Sequence, residues 1–133
     1  MEIKISHSKP PHYAKMLKAF PAATWDKPVA FAYKDTIYTN VEKVEAHLIV
    51  HEATHLKQQE LNLDEWIDLY IKDPAFRLKQ EIEAYGNQYK WVRARTPVKV
   101  YDNFLDQCAD ALSSPLYNNI ISFAEARSKI RHG

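Results

Sequence analysis

The feature that most constrains this chain is a long segment, Val41 to Glu60, that contains neither proline nor glycine. Its sequence is VEKVEAHLIVHEATHLKQQE, in which Leu48, His51 and His55 recur at the spacing of neighbouring helical turns. Asn40, just before the segment, is a residue type that commonly caps a helix N-terminus. We therefore expect one helix of about five turns after Asn40, against which the other elements pack.

Around this helix the sequence predicts a small sheet and further helices. Two runs rich in β-branched and aromatic residues, PVAFAY and TIYT, are separated by Lys34 and Asp35 and indicate a β-hairpin. The N-terminal segment that carries His7 and His12 is expected to be irregular. Helices are predicted in LDEWIDLYI, in PAFRLKQEIEAYGNQYKWVRA after the capping Asp73, in YDNFLDQCADALSS, and from the capping box of Ser122 and Glu125 to Arg131. The expected fold class is α+β, a mostly helical single domain over residues 1–133 with a small β-hairpin or sheet before the His51 helix.

Composition and charge argue against several classes of partner. The formal net charge is +1, so no global field attracts nucleic acid or an anionic membrane. We interpret the basic cluster from Lys90 to Arg95 as a solvated helix end in preference to a phosphate-binding patch. No run approaches the roughly 20 apolar residues of a membrane span, and the N-terminus lacks the apolar part of a signal peptide. The single cysteine, Cys108, has the pattern of a buried helical residue, and we expect a cytoplasmic protein without disulfides.

Within the predicted helix, the stretch HEATH places His51 and His55 one turn apart on one face, so both imidazoles can reach the same metal ion. Glu52 is rotated about 100° from His51, toward the side where a metal-bound water would lie. Zinc binds neutral imidazole and lowers the pKa of its water to about 7, and a nearby carboxylate can pass the water's proton to a leaving amine. The motif therefore predicts zinc ligation by His51 and His55, with Glu52 as general base and acid.

A hydrolytic zinc site usually needs a third protein ligand. His47 precedes His51 by one turn and is expected to pack near the site rather than bind the metal. The helix containing KQEIEAYGNQ can return antiparallel to the HEATH helix, and it offers Glu81 and Glu83. At about 100° per residue, Glu81 falls on the edge of the apolar stripe of that helix, and Glu83 falls on its solvent side. Glu81 is therefore the predicted third ligand.

HEATH, followed 26 residues after His55 by EIEAY, resembles the gluzincin zinc metallopeptidases. In that family the third ligand is a glutamate in an E-x-x-A setting on a second helix, which corresponds here to Glu81. From about Ala30 to Trp91 the chain resembles a minimal zincin-like gluzincin core, similar to small phage-encoded metallopeptidase-like proteins. The resemblance implies that an extended peptide substrate pairs with an edge strand before the HEATH helix, either TIYT or its hairpin partner.

Two features of the family pattern differ or stay open in this chain. Many gluzincins carry an aspartate four residues after the ligand glutamate to support a histidine, and Tyr85 stands at that position. The sequence does not single out the residue that stabilises the oxyanion. The candidates are Tyr85, Tyr89, Tyr101 and Tyr117.

These observations lead to one main hypothesis and two alternatives. The main hypothesis is zinc-dependent hydrolysis of a peptide or protein substrate, with Glu52 activating zinc-bound water, in the cytoplasm of the host cell if the protein is phage-encoded. The first alternative is a catalytically inactive zinc-binding accessory or structural protein, for example of a phage, on the same scaffold. The second alternative is a helical protein without metal. The sequence leaves the oligomeric state open.

Overall fold

The computed structural model describes residues 2–133, which form six α-helices and a three-stranded sheet. In chain order the elements are β1 (Lys4–Ser6), α1 (Tyr13–Ala19), β2 (Ala30–Tyr33), β3 (Thr36–Thr39), α2 (Ala46–Gln58), α3 (Leu63–Lys72), α4 (Pro74–Arg93), α5 (Val98–Leu112) and α6 (Phe123–His132). A short 3-10 helix, Pro115–Tyr117, lies between α5 and α6. The predicted α+β class, mostly helical with a small sheet ahead of the HEATH helix α2, is confirmed.

The sheet has the strand order β1-β3-β2. β2 and β3 form the predicted hairpin, in which Tyr33 pairs with Thr36 across a two-residue turn. Lys34, the first residue of that turn, has a φ of 61°, a left-handed conformation that costs roughly 1 kcal/mol or more for a residue with a side chain. β1 runs parallel to β3 on its other side, with Ile5 opposite Ile37. β3 is therefore the central strand, and β2 keeps a free edge.

The segment from His7 to His12 is irregular, as predicted, but it lies between two short elements, β1 and α1, that the sequence did not predict. His7 follows β1, and His12 immediately precedes α1. β1 is only three residues long and exists because it pairs with β3, a non-local contact that no pattern within so short a stretch reveals. α1 is held by burial of Met16, which joins Phe20 just beyond the helix in an apolar cluster.

The HEATH helix begins later than its sequence predicted. α2 starts at Ala46 with Glu45 in the N-cap position, and Asn40 does not cap it. The Asn40 side chain instead accepts a hydrogen bond from the backbone N–H of Val29 and donates to the carbonyl oxygens of Trp25 and Lys27. Asparagine competes for nearby backbone groups in this way, and here it holds the loop that enters β2.

The later helices agree closely with the predictions. Asn62 caps α3, Asp73 caps α4 ahead of Pro74, and Ser122 caps α6. α5 begins at Val98, three residues before the predicted start, because the chain turns helical directly after Pro97. No helix of the described residues is long and apolar enough to cross a membrane.

Three apolar clusters surround the pair of helices α2 and α4, which pack against each other. The smallest joins Ala32, Ile37 and Leu56 between the sheet and α2, and the other two are larger. The first, here called the N-terminal core, is mostly aromatic and draws on α1, β2 and α3. Its buried members are Met16, Phe20, Ala23, Phe31 and Tyr70. The second, here called the C-terminal core, joins α4, α5 and α6. Its buried members are Tyr85, Tyr89, Leu105, Cys108, Ala109, Leu112, Ala126 and Ile130.

Candidate metal centre

Two helices bring the three predicted ligands together. His51 and His55 lie on α2, and Glu81 lies on α4. Nε2 of His51 is 3.1 Å from Oε1 of Glu81, and Nε2 of His55 is 3.0 Å from Oε2 of the same carboxylate. One potential ligand atom of each residue lies within 4.8 Å of the others. Two atoms bound to one tetrahedral zinc ion are roughly 3.3 Å apart, so the three side chains fit a single zinc ion. The same donors also suit other divalent transition metals.

The ligand group is buried, and its charges depend on one another. The exposed fraction is 4% for His51, 5% for His55 and 1% for Glu81. Burial by itself raises the pKa of Glu81 and lowers the pKa of His55. Attraction between the two groups reverses both shifts, so the pKa of Glu81 is lowered and the pKa of His55 is raised to about 9. The buried carboxylate of Glu81 is stabilised by positive charge beside it. A divalent cation supplies this charge when it takes the place of the protons on the two imidazoles.

Each ligand is restrained by a partner behind it. Nδ1 of His51 is 2.8 Å from Oε1 of Gln88, and Nδ1 of His55 is 2.9 Å from Oε1 of Gln58. The hydroxyl of Tyr70 donates a hydrogen bond of 2.6 Å to Oε2 of Glu81. Such outer partners orient the ligands of metal sites and tune their basicity.

Aromatic rings cover the sides of both imidazoles. The ring of Tyr85 meets His51 edge-on, with ring centroids 4.4 Å apart. The ring of Trp66 lies 5.6 Å from that of His55 and stacks on Tyr70. Apolar walls of this kind exclude water, which strengthens the electrostatic interactions inside the site.

Glu52 lies beside the ligand group. Its Oε2 is 3.7 Å from Nε2 of His51, and its exposed fraction is 5%. Burial raises the pKa of Glu52, because the charged carboxylate loses its hydration. A raised pKa brings a carboxylate closer to neutral pH, where a group that both takes and returns protons works best.

The structure separates the predicted ligands from the other candidates. Glu83 is exposed and accepts a hydrogen bond of 2.8 Å from Nε2 of Gln58. His47 uses both ring nitrogens outside the ligand group, one toward Glu45 and one toward Gln88. The remaining histidines do not belong to the group of potential ligands. They are His7, His12 and His132.

A cavity of about 370 Å³ opens onto the ligand group, and two of the four tyrosines considered for oxyanion stabilisation line it. Tyr85 and Tyr117 line the cavity, and their hydroxyl oxygens are 2.9 Å apart. Tyr89 and Tyr101 instead pack in and against the C-terminal core. Cys108 also lines the cavity, but burial raises the pKa of its thiol to about 12, which makes it a poor nucleophile.

Only one of the two proposed substrate-pairing strands has a free edge. TIYT is β3, the central strand, so its hairpin partner β2 is left. Gln59 covers one end of the β2 edge, because it donates to the carbonyl oxygen of Ala32 and accepts from the backbone N–H of Lys34. Alternate residues of an antiparallel ladder face the same side, so the backbone groups of Ala30 face this edge as well. Ala30 also lines the cavity.

Three residues that restrain the ligands did not stand out in the sequence. Gln58 follows His55 by three residues and Gln88 follows Glu81 by seven, so each shares the ligand-bearing face of its helix. That spacing was the available signal. Tyr70 lies on α3, and nothing in its local sequence connects it with Glu81.

Comparison of the chain with protein-family models, curated proteins and solved structures found no match. The candidate centre is therefore defined by its own residues. It consists of three convergent ligands, their outer hydrogen-bond partners and an adjacent buried carboxylate.

Proposed function

We propose that this protein is a zinc-dependent peptidase in which His51, His55 and Glu81 hold the metal and Glu52 carries the proton. The observation that carries this proposal is the convergence of two imidazoles on one buried carboxylate, with a second buried carboxylate 3.7 Å from one imidazole. The lowered pKa of Glu81 suits a permanently charged ligand, and the raised pKa of Glu52 suits a proton carrier. Carboxyl groups whose pKa values are pushed apart commonly have separate roles in one site.

Zinc bound here would supply a Lewis acid that polarises the peptide carbonyl and lowers the pKa of water to about 7. Glu52 accepts one proton from the attacking water and donates it to the amide nitrogen as the C–N bond breaks. One water is consumed, and the carboxylate of Glu52 is regenerated. The 2.6 Å hydrogen bond from the Tyr70 hydroxyl holds one carboxylate oxygen of Glu81 in place during the reaction.

Tyr85 and Tyr117 supply the hydrogen-bond donor that the peptide carbonyl oxygen needs as it gains negative charge. Their hydroxyl groups contact each other at the cavity wall, so one of them donates to the other. The hydroxyl proton that this contact does not use is available to a substrate oxygen in the cavity. Burial raises the pKa of both hydroxyls, which keeps them protonated as donors.

The cavity lining favours a peptide with an apolar side chain beside the bond that is cut. Among the described residues no lysine, arginine or aspartate lines it, and its glutamates are Glu52 and Glu81. Phe20, Phe31 and Leu116 contribute apolar wall. The free β2 edge can pair with the backbone of an extended substrate at Ala30.

The same proposal includes a cytoplasmic location, in the host cell if the protein is phage-encoded. The near-zero net charge supports a peptide substrate over nucleic acid or a membrane surface as the partner.

The decisive experiment compares Glu52→Gln with the wild type after both are loaded with zinc. Glu125→Gln is the matched control, because it makes the same change at an exposed position on α6, outside the ligand group. Zinc content and cleavage of a peptide library, read by mass spectrometry, are measured for all three proteins. We expect equal zinc content, cleavage by the wild type and the control, and loss of at least about 100-fold in rate for Glu52→Gln.

The outcomes distinguish the alternatives. If all three proteins retain zinc and none cleaves any peptide, the protein is a zinc-binding accessory or structural protein. If the wild type takes up no transition metal even when zinc is supplied, the metal centre itself is wrong.

A further inference from the structure

The outer hydrogen bonds of the ligand histidines define which ring nitrogen carries hydrogen. Nδ1 of His51 faces Oε1 of Gln88, and Nδ1 of His55 faces Oε1 of Gln58. An amide oxygen only accepts, so each Nδ1 must be the donor. A neutral imidazole has a single N–H, which leaves the lone pair on Nε2. Both Nε2 atoms face Glu81, where the proposed metal would bind.

The hydrogen bonds of the Gln58 amide nitrogen fix the orientation of its side chain. Its Nε2 donates to the carbonyl oxygen of Gln80 at 3.1 Å and to Oε1 of Glu83 at 2.8 Å. Both partners are acceptors only. A reversed amide would place its oxygen against two other oxygens, so Glu83 fixes the orientation that Gln58 presents to His55.

A corresponding chain fixes Gln88. Its Nε2 is 2.9 Å from Nδ1 of His47, and Nε2 of His47 is 2.7 Å from Oε2 of the exposed Glu45. The carboxylate of Glu45 accepts, so the hydrogen of His47 lies on Nε2 and its Nδ1 accepts from Gln88. The nitrogen of Gln88 therefore points to His47, and its oxygen points to His51.

We propose that Gln58 and Gln88 are the positioning residues of the metal centre. Each amide holds one ligand histidine with its Nε2 lone pair toward the metal, and each is oriented by an exposed carboxylate, Glu83 directly and Glu45 through His47. The inference rests on the proposed metal centre. Because amides carry no charge, they orient the imidazoles without adding a further buried anion beside Glu81 and Glu52.

The first test measures zinc affinity by competition with a chromogenic chelator for Gln58→Leu and Gln88→Leu. Gln107→Leu is the matched control, because Gln107 is exposed, lies on the cavity wall and is outside the hydrogen bonds to the ligand histidines. Loss of an outer partner typically weakens metal binding by about 10- to 100-fold, and we expect losses in this range for the first two variants and no change for the control. Glu83→Ala, at an exposed position that does not endanger folding, should weaken binding by only a few fold.

The second test asks whether a carboxylate can rescue the amide. Gln88→Glu keeps an acceptor for Nδ1 of His51, and its other oxygen can accept from His47 once that ring carries hydrogen on Nδ1. We expect Gln88→Glu to recover most of the zinc affinity that Gln88→Leu loses. Gln58→Glu should not recover affinity, because its carboxylate would face Glu83 and the Gln80 carbonyl oxygen. A purely structural role would not produce this difference.

Nitrogen-15 NMR of the zinc-loaded proteins gives a readout that does not depend on activity. Both ligand histidines of the wild type should show Nδ1–H and metal-bound Nε2, and Gln88→Leu should lose this uniform state at His51. Wild-type zinc uptake with unchanged affinity in both leucine variants would overturn the positioning role alone. A wild-type protein that takes up no zinc would overturn this proposal together with the metal centre.

Discussion

The two apolar cores on either side of the candidate centre differ in how completely they are packed and paired. In the C-terminal core, stripes from three helices meet, and Leu105 and Leu112 are fully buried. The N-terminal core is mostly aromatic and draws on short elements and on the loop after α1. Among the described residues, three buried polar atoms beside it lack a hydrogen-bond partner: Nδ1 of His12, Oγ1 of Thr24 and Nε of Arg77.

We therefore expect the two cores to differ in what they contribute to stability and to the cavity. All buried members of the C-terminal core lie on the helices α4, α5 and α6, so we expect this core to supply most of the stability. Both cores reach the cavity wall, the N-terminal core through Met16, Phe20 and Phe31 and the C-terminal core through Tyr85 and Cys108. The unpaired buried polar atoms lie on the N-terminal side. Sites that bind ligands are commonly supported in this way, on a packed scaffold with a less perfectly filled side.

The largest expected effect is on zinc affinity at the candidate centre, which lies between the two cores. Glu81→Ala should weaken zinc binding by at least about 1,000-fold, because it removes one of three ligands and its charge. Glu83→Ala changes the same residue type two positions away on the same helix and should differ from the wild type by only a few fold. Zinc competition titrations of the two variants measure the ratio. The opposite ranking would show that α4 presents another face to α2.

The next largest expected effect is on the free energy of unfolding and concerns the C-terminal core. Leu112→Ala should lower the free energy of unfolding by about 2–5 kcal/mol, because it leaves a cavity at a fully buried position. Leu61→Ala, the same substitution at a fully exposed leucine, should change it by less than about 0.5 kcal/mol. Urea denaturation followed by circular dichroism measures both. A loss in Leu112→Ala no greater than that in Leu61→Ala would refute the assignment of stability to the C-terminal core.

Removal of zinc should have a smaller effect, because both cores are present without it. At a free zinc concentration of about 100 times Kd, binding stabilises the fold by about 2.7 kcal/mol, so chelation should lower Tm while the far-UV spectrum at 25 °C stays unchanged. Scanning calorimetry with and without a chelator provides the measurement. A chain that unfolds at 25 °C on zinc removal would show the site to be structural, and the peptidase proposal would then be abandoned.

The remaining effect depends on pH and concerns His12, which lies beside the N-terminal core against Phe31. Burial, together with repulsion from Lys15, lowers the pKa of His12 from 6.5 to about 4. Between these pH values the unfolded chain binds a proton that the folded protein excludes, so stability is present above pH 6.5 and is lost as pH falls toward 4. The loss from this residue is at most about 1.4 kcal/mol per pH unit.

His12→Gln should therefore flatten the pH dependence of unfolding in that window. The comparison is made on the metal-free proteins, so that loss of zinc in acid does not contribute. Parallel pH profiles of the wild type and His12→Gln would show that His12 titrates normally in the folded protein.

The candidate site shows which residues can be predicted locally. His51, His55 and Glu52 follow from HEATH once a helix is assumed, because i and i+4 share a face. Glu81 was separated from Glu83 by its angle to the apolar stripe of α4, and the structure buries the first and exposes the second. These residues depend on helix period alone. Whether they bind zinc and cleave peptides is still a prediction.

The sequence by itself determined the helices α4 and α6, which begin at the capping residues Asp73 and Ser122, and the face that α4 buries. The physical reason is that caps and apolar period act within a few residues. Only the tertiary structure decided that β1 forms, that Asn40 holds a loop instead of capping α2, and that Tyr70 reaches Glu81. Each of these depends on a partner distant in sequence, and pairing across such distances leaves no period in the chain.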